Sequence, residues 1–162
     1  GDPGQSINSF GFKPATGRTV EFLNIPSWAT KLTFVVNGVK LNDSAICFIL
    51  LGAGGSFQGT QYATISTSTS TDPVTYPAVA QHFTNGFAAL GININANRVG
   101  AITFHKVKPD RWIGTGNFYD LVGYGGISTG FAQLLGPLDC VVAYAATPTG
   151  EFSEGSFGLF YE

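Results

Sequence analysis

Apolar and polar side chains alternate along several stretches of the chain. Between residues 31 and 37, Leu32, Phe34 and Val36 occupy every second position. A period of two is typical of a strand with one buried face. The same alternation occurs at Val20 and Phe22, at Ile102 and Phe104, at Cys140, Val142 and Tyr144, and at Phe157, Leu159 and Tyr161. Residues 46–51 are apolar throughout, which predicts a strand covered on both faces.

Turn-forming residues separate these segments at short, regular intervals. The chain contains 22 Gly and 8 Pro, and turn signals include Asn37-Gly38, Pro109-Asp110 and Gly136-Pro137. Short strands punctuated in this way are typical of a sandwich or a barrel. The pattern therefore predicts an all-β fold.

Two segments depart from the strand pattern. Residues 77–84 are the best candidate for a helix, because Pro77 would lie in its first turn and Val79 and Phe83 would share one face. Residues 64–71 are rich in Ser and Thr and have a poorly specified register, so they are either a long exposed loop or an edge strand. We see no domain boundary and no internal repeat, and expect a single domain.

The composition is poor in charge and rich in aromatic residues. Charged residues make up 11% of the chain and aromatic residues 14%, whereas roughly 25% of an average soluble domain is charged. We expect the apolar surface to be buried both in a large core and against neighbouring copies of the chain. The net charge is −2 and the eight Lys and Arg are scattered, which argues against nucleic-acid binding and docking on anionic lipid. No apolar run is long enough for membrane insertion.

The cysteines, the lack of methionine and the first six residues give further information about the chain. Cys47 and Cys140 lie far apart in apolar segments, and we interpret them as two buried free thiols rather than a disulfide. The chain has no Met, so we expect a processed product or a fragment, and we recognise no signal peptide. Residues 1–6 are either a cloning scar or the last triplets of a Gly-X-Y stalk.

Patterns that would indicate catalysis or a cofactor are weak. The glycines after residues 46–51, from Gly52 to Gly59, precede β-branched and hydroxyl residues rather than a helix, which favours a plain β-turn over a nucleotide loop. His82 and His105 each stand alone, unless a trimer axis gathers three copies of one histidine. No pair of carboxylates is selected for glycosidase chemistry. We predict no catalytic residue, no metal site and no cofactor.

Aromatic and hydrogen-bonding side chains near predicted turns are the candidates for binding. These residues are Tyr76, Asp110, Arg111, Asn117, Tyr119 and Tyr124. Sugars place C–H faces on aromatic rings and pair their hydroxyls with Asp, Asn and Arg. The alternative is that the rings fill the core or a subunit interface. We favour that alternative for Trp112 and leave both open for Tyr76 and Tyr124.

The second half of the chain resembles a family of phage proteins. Gly100-Ala-Ile-Thr-Phe-His precedes Arg111-Trp-Ile-Gly-Thr-Gly, a glycine-rich link at 123–126 and Leu138-Asp-Cys-Val-Val. The chain ends Gly150-Glu-Phe-Ser-Glu-Gly-Ser-Phe-Gly-Leu-Phe-Tyr-Glu. This arrangement resembles the C-terminal tip domain of tailed-bacteriophage tail-fibre and receptor-binding proteins. The resemblance covers residues 99–162. Residues 19–51 share with such domains only an opening strand–turn–strand arrangement, and residues 57–98 match nothing we can name.

The resemblance implies a jelly-roll-like antiparallel β-sandwich at residues 19–162, after an N-terminal linker or end of a stalk at residues 1–18. It also implies a homotrimer at the tip of a tail fibre in the virion, which acts in host adsorption without catalysis. The expected partner is a bacterial surface glycan or outer-membrane protein. Residues 57–98 would hold the protein's own binding loops, and Gly155 would supply the turn before the last strand.

Two alternatives remain open from the sequence. One is a structural virion domain, for capsid decoration or fibre trimerisation, that binds no receptor. The other, less favoured, is a depolymerase acting on a surface polysaccharide, because such enzymes usually resemble longer β-helices with repeats, and no repeat is visible here.

Overall fold

The computed structural model describes residues 7–43, 46–89, 97–121 and 123–162. These residues form an all-β molecule in which antiparallel strands build two packed sheets, and they contain no helix. The thirteen strands of the described residues are β1 (Asn8–Pro14), β2 (Thr19–Phe22), β3 (Lys31–Leu41), β4 (Cys47–Ala53), β5 (Ser56–Phe57), β6 (Tyr62–Ser70), β7 (Val79–Phe83), β8 (Phe87–Ala89), β9 (Arg98–Lys108), β10 (Arg111–Asp120), β11 (Tyr124–Gln133), β12 (Leu138–Ala145) and β13 (Phe152–Tyr161).

The larger sheet has the strand order β1-β13-β3-β9-β10-β11-β6-β7, and the smaller sheet has the order β2-β12-β4-β5. In addition, β8 pairs with β4 on the smaller sheet. The described residues therefore form an antiparallel β-sandwich, as the rhythm of strands and turns predicted.

Alternation along the strands builds the core between the sheets. Leu32, Phe34 and Val36 of β3 are buried, while the positions between them are half-buried. The rings of Phe22 and Phe34 meet edge to face with centroids 5.7 Å apart across the sandwich, a favoured aromatic geometry. Strand β4 is buried along almost its whole length, which confirms the expectation of a strand covered on both faces.

Two other expectations about the core are confirmed. Trp112 is buried, and its indole N–H donates a hydrogen bond of 3.3 Å to the carbonyl of Pro109. Cys47 and Cys140 are buried free thiols. Burial raises the pKa of each thiol to about 12, so both remain protonated and unreactive near neutral pH.

The helix expected at residues 77–84 is wrong. Residues Val79–Phe83 form β7, which pairs with β6 from Thr64↔Phe83 to Ser68↔Val79. A helix of that length is marginal in water on its own, whereas the open side of β6 offers a row of backbone hydrogen-bond partners. Tertiary pairing thus overrides the local helix signal.

The Ser/Thr-rich segment is neither an exposed loop nor an edge strand. Strand β6 lies between β11 and β7 in the larger sheet. Its register with β11 runs without a bulge from Tyr124↔Ser70 to Ala132↔Tyr62. Neighbours on both sides fix a register that the alternation of Ser and Thr leaves undetermined.

The segment expected to be a linker contributes a strand to the larger sheet. Strand β1 pairs with β13 from Asn8↔Tyr161 to Pro14↔Ser156. Phe10 packs against Tyr161, with ring centroids 5.1 Å apart. Residues 8–14 therefore belong to the sandwich, which corrects the boundary at residues 1–18, while residues 1–6 lie outside the described residues.

Two glycines lie where a side chain would collide with a neighbouring strand. Gly155 has a φ of +88° and lies at a bulge inside β13 rather than at a turn before it. A Cβ there would collide with the carbonyl oxygen of Gly38 on β3. A Cβ at Gly52 would come within 2.6 Å of the Cys140 sulfur. Gly52 begins the β4–β5 hairpin, as the β-turn interpretation of these glycines predicted.

Candidate functional site

The inward positions at one flank of the larger sheet are polar. Ser66 and Ser68 of β6 and Ser128 of β11 are buried, and the hydroxyl groups of Ser66 and Ser128 lie 3.3 Å apart in a hydrogen bond. On other strands of this sheet, the equivalent positions hold large apolar residues such as Phe34 and Phe104. This flank therefore adds less to the hydrophobic core and offers hydroxyl groups at the ends of its strands.

A cleft of about 130 Å³ lies at the end of this flank. We call it the tyrosine cleft, and its lining residues are Ser68, Thr69, Ser70, Tyr76, Pro77, Val79, Gln81 and Tyr124. Apolar faces of two tyrosines, a proline and a valine thus surround hydroxyl and amide groups. Clefts with apolar walls and a few convergent polar groups are typical of ligand sites.

Tyr76 and Tyr124 form the aromatic wall of the tyrosine cleft. Their rings meet edge to face, with centroids 5.4 Å apart and an interplanar angle of 79°. Tyr76 is 47% exposed. Desolvation, followed by a hydrogen bond with Tyr76, raises the pKa of Tyr124 above its ordinary value, so its hydroxyl is neutral under physiological conditions.

A hydrogen-bonded turn holds Tyr76 in place. The carboxylate of Asp72 accepts a hydrogen bond of 3.2 Å from the backbone N–H of Thr75, and the backbone N–H of Tyr76 donates to the carbonyl of Asp72 at 2.9 Å. Hydrogen bonds from the Thr75 side chain and backbone lower the pKa of Asp72. The loop between β6 and β7 is thus tied by local bonds typical of an Asx turn.

A buried carboxylate positions the other tyrosine. Asp120, at the end of β10, accepts a hydrogen bond of 3.1 Å from the backbone N–H of Tyr124. Asp120 is fully buried and lies opposite Arg98, itself 1% exposed, in the register of β10 and β9. Desolvation lowers the pKa of Arg98, while the negative charge of Asp120 opposes that shift. The start of β11, and with it Tyr124, is therefore anchored in the interior.

The structure separates the sequence-predicted binding residues into three groups. Tyr76 and Tyr124 meet in the tyrosine cleft. Tyr119 and Asn117 are exposed on β10 and point to the outward face of the larger sheet, since the alternating residues Phe118 and Asp120 are buried. Tyr119 therefore lies on the opposite side of the sheet from Tyr124.

Asp110 and Arg111 are distant from both tyrosine positions. They lie at the turn that begins β10, and Arg111 is about 27 Å from Tyr119 along the strand, at roughly 3.4 Å per residue. The Arg111 Nε donates a hydrogen bond of 2.8 Å to the Gln133 side chain. The Gln133 amide in turn donates to the Asp110 carbonyl at 3.2 Å. The two residues thus belong to a separate local network.

Sequence reasoning missed the strand residues of the tyrosine cleft, among them Ser68, Ser70 and Gln81. Hydroxyl residues at every second position, Ser66, Ser68 and Ser70, are the signal that indicates one polar face of a strand. Their meeting with Tyr124 depends on pairing with β11, which lies far along the chain. Of the binding loops expected at residues 57–98, residues 90–96 lie outside the described residues.

A second surface is the outward face of β10, β11 and β6. Its exposed apolar residues, which we call the outer patch, are Ile65, Ile113, Ile127 and Phe131. Ile113 lies opposite Phe131, and Thr129 lies opposite Ile65. No charged residue occupies an outward position of Ala63–Thr69, Ile113–Tyr119 or Gly125–Phe131 in these strands. Threonines and an asparagine separate some of these apolar residues, so the outer patch is an uncharged surface of mixed polarity.

The described residues contain no group of three or more His, Cys, Asp or Glu placed to hold a metal ion. Within the same residues, no helix is long and apolar enough to cross a membrane. The sequence matches no protein-family model and no curated protein.

Proposed function

We propose that this chain is a receptor-binding domain of a virion, of the kind that forms the tip of a tail fibre. In this proposal it binds a glycan of the bacterial surface in the tyrosine cleft, without catalysis, and assembles as a homotrimer. The observation that carries the proposal is the tyrosine cleft itself. There two tyrosine rings stand beside Ser, Thr and Gln side chains, a combination that suits the apolar faces and hydroxyl groups of a sugar.

The proposed fold is a jelly roll, and eight of the strands support it. They are β1, β2, β3, β4, β8, β9, β12 and β13. In the larger sheet β1, β13, β3 and β9 are neighbours in that order, and they are the first, eighth, third and sixth of the eight strands along the chain. In the smaller sheet β2, β12, β4 and β8 are neighbours in that order, and they are the second, seventh, fourth and fifth. This order is that of two Greek keys wound into a sandwich.

The remaining strands are insertions into that order, and they support a binding role. Strands β5, β6 and β7 lie between β4 and β8 along the chain, and β10 and β11 lie between β9 and β12. The inserted strands and the loop at 71–78 supply every lining residue of the tyrosine cleft. Function is commonly carried by such additions to a rigid scaffold.

The outer patch supports self-association. Ile65 and Ile127 are 51% and 49% exposed, and burying isoleucine against a neighbouring copy would stabilise an assembly by the hydrophobic effect. The number of copies, three, follows from the resemblance to fibre-tip domains. Light scattering coupled to size-exclusion chromatography tests this part, and a monomer of 17.0 kDa at micromolar concentration would contradict it.

Competition with phage adsorption tests the receptor role. The purified chain is expected to reduce adsorption of the phage to its host, and Tyr124→Ala is expected to compete less well. Tyr119→Ala is the matched control, because it removes an exposed tyrosine from the opposite face of the sheet. Equal competition by both variants would contradict binding through the tyrosine cleft.

A structural virion domain is the second candidate, and the outer patch favours it. A trimerisation domain needs the apolar interface and has no use for the tyrosine cleft. A trimer that neither competes with adsorption nor binds host polysaccharide would support this candidate over the first.

A further inference from the structure

We infer that the tyrosine cleft selects a single uncharged sugar unit and discriminates against acidic sugars. The inference deepens the proposed glycan-binding function and rests on it. Its basis is the charge distribution around the cleft, together with the size and chemistry of the lining.

The lining offers only neutral hydrogen-bonding groups. Its polar side chains are the hydroxyls of Ser, Thr and Tyr and the amide of Gln81. A hydroxyl donates one hydrogen bond and accepts others, and an amide does both. Sugar hydroxyl groups have the same dual character, so this lining can pair with them, whereas a carboxylate only accepts.

The charges nearest to the cleft are negative. Asp72 and Asp120 both lie beside the tyrosines of the cleft, through the turn that carries Tyr76 and the N–H of Tyr124. Asp72 is on the loop that carries Tyr76, where its side chain accepts the hydrogen bond from Thr75. Asp120 lies beneath the start of β11. A ligand carboxylate in the cleft would therefore meet repulsion.

No accessible cation offsets this repulsion. All eight Lys and Arg of the sequence lie within the described residues, and none of them lines the cleft. Arg98, itself 1% exposed, lies opposite Asp120 and compensates that buried carboxylate, so the repulsion comes from Asp72. Lys40 is at the same end of the sheet but on β3, separated from β11 by β9 and β10. That separation is about 14 Å at roughly 4.8 Å per strand, beyond the screening length of about 8 Å in physiological salt.

The size of the cleft limits the ligand to one unit. Its volume is about 130 Å³, whereas pockets for drug-sized ligands hold roughly 300–1,000 Å³. The two tyrosine rings also form a short wall, because Tyr76 and Tyr124 meet directly. One sugar ring fits this arrangement, and further units of a glycan would lie outside it.

The test compares sugars that differ only at one position. The probes are the methyl glycosides of galactose and glucose and those of galacturonic and glucuronic acid, in which a carboxylate replaces the primary alcohol. Binding to the full chain is measured by saturation-transfer NMR and titration at physiological ionic strength. At least one neutral glycoside is expected to bind, and its acidic counterpart at least about tenfold more weakly. Equal or tighter binding of the acidic sugar would overturn the inference while leaving glycan binding intact.

Charge variants on β7 and β10 separate the inference from the proposed function. Gln81→Lys places a cation in the lining. It is expected to reduce the ratio of the affinity for the neutral sugar to that for the acidic sugar at least about tenfold. Asn117→Lys places the same charge on the outward face of the sheet and is expected to leave the ratio unchanged. An unchanged ratio in Gln81→Lys would overturn the inference. Failure of every probe to bind the folded chain would overturn the inference and the proposed glycan function together.

Discussion

The hydroxyl of Tyr62, on β6 of the larger sheet, accepts a hydrogen bond of 2.9 Å from the backbone N–H of Leu51, on β4 of the smaller sheet. The same hydroxyl lies 2.7 Å from the carbonyl of Gln58, to which it donates. Both Tyr62 and Leu51 are buried. One side chain thus links the two layers of the sandwich, and it belongs to the strand that carries the serines of the tyrosine cleft.

Removing the Tyr62 hydroxyl is expected to destabilise the fold. In Tyr62→Phe the ring remains, but the buried N–H of Leu51 loses this acceptor, which costs about 1–3 kcal/mol. Urea unfolding followed by circular dichroism measures the change. Tyr119→Phe is the control, since Tyr119 is exposed and its variant is expected to unfold within about 0.5 kcal/mol of the parent. Equal stability of the two variants would contradict a structural role for the bond.

The ring of Tyr124 is expected to contribute to ligand affinity more than its hydroxyl does. Tyr124→Ala removes both the wall of the cleft and the edge-to-face contact with Tyr76, a contact worth about 0.5–1.5 kcal/mol. Tyr124→Phe keeps the ring and is expected to retain most of the affinity for the neutral glycoside. Titration of each variant with the same glycoside measures the difference. Similar losses in both variants would instead assign the affinity to the hydroxyl.

Ligand binding is expected to be insensitive to pH except in acid. The pKa of Asp72 is lowered from 3.8, so the charge-assisted hydrogen bond from the Thr75 N–H is at full strength above that value and weakens as the pH falls through the lowered pKa. The raised pKa of Tyr124 keeps its hydroxyl protonated beyond the ordinary value of 10.0. Titrations should give constant affinity from about pH 5 to 9.

Asp72→Asn supplies the control for this pH dependence. Asparagine keeps a carbonyl acceptor for the Thr75 N–H but does not titrate. The variant is expected to bind the neutral glycoside and to lose the fall in affinity in acid. If its affinity falls with pH as the parent's does, another group is responsible.

A charge in the outer patch is expected to prevent self-association. Ile113 is 46% exposed and lies opposite Phe131, so Ile113→Asp would bury a carboxylate in any interface formed there. An unpaired charge in an interface costs several kcal/mol, enough to dissociate a moderate assembly. Sedimentation of Ile113→Asp, compared with Lys108→Asp outside the patch, measures the effect. An unchanged assembly would place the interface elsewhere.

The sequence alone determined the class of the fold and much of its core. Alternation at Leu32, Phe34 and Val36, and the apolar run at residues 46–51, predict strands because burial on one face or two is a local property of the pattern. The same reasoning predicted the buried Trp112 and the two free thiols. It found two of the cleft residues, Tyr76 and Tyr124, because amphipathic rings near turns are visible in the sequence.

Only the tertiary structure decided which of these residues meet. Residues 79–83 carry a helix signal yet form β7, because the open side of β6 supplies hydrogen bonds that an isolated short helix lacks. Tyr124 faces the cleft and Tyr119 the opposite side, because the registers of β10, β11 and β6 assign each position to a face. Register depends on long-range pairing, and a shift of one residue would exchange the two faces, so local sequence patterns could not specify it.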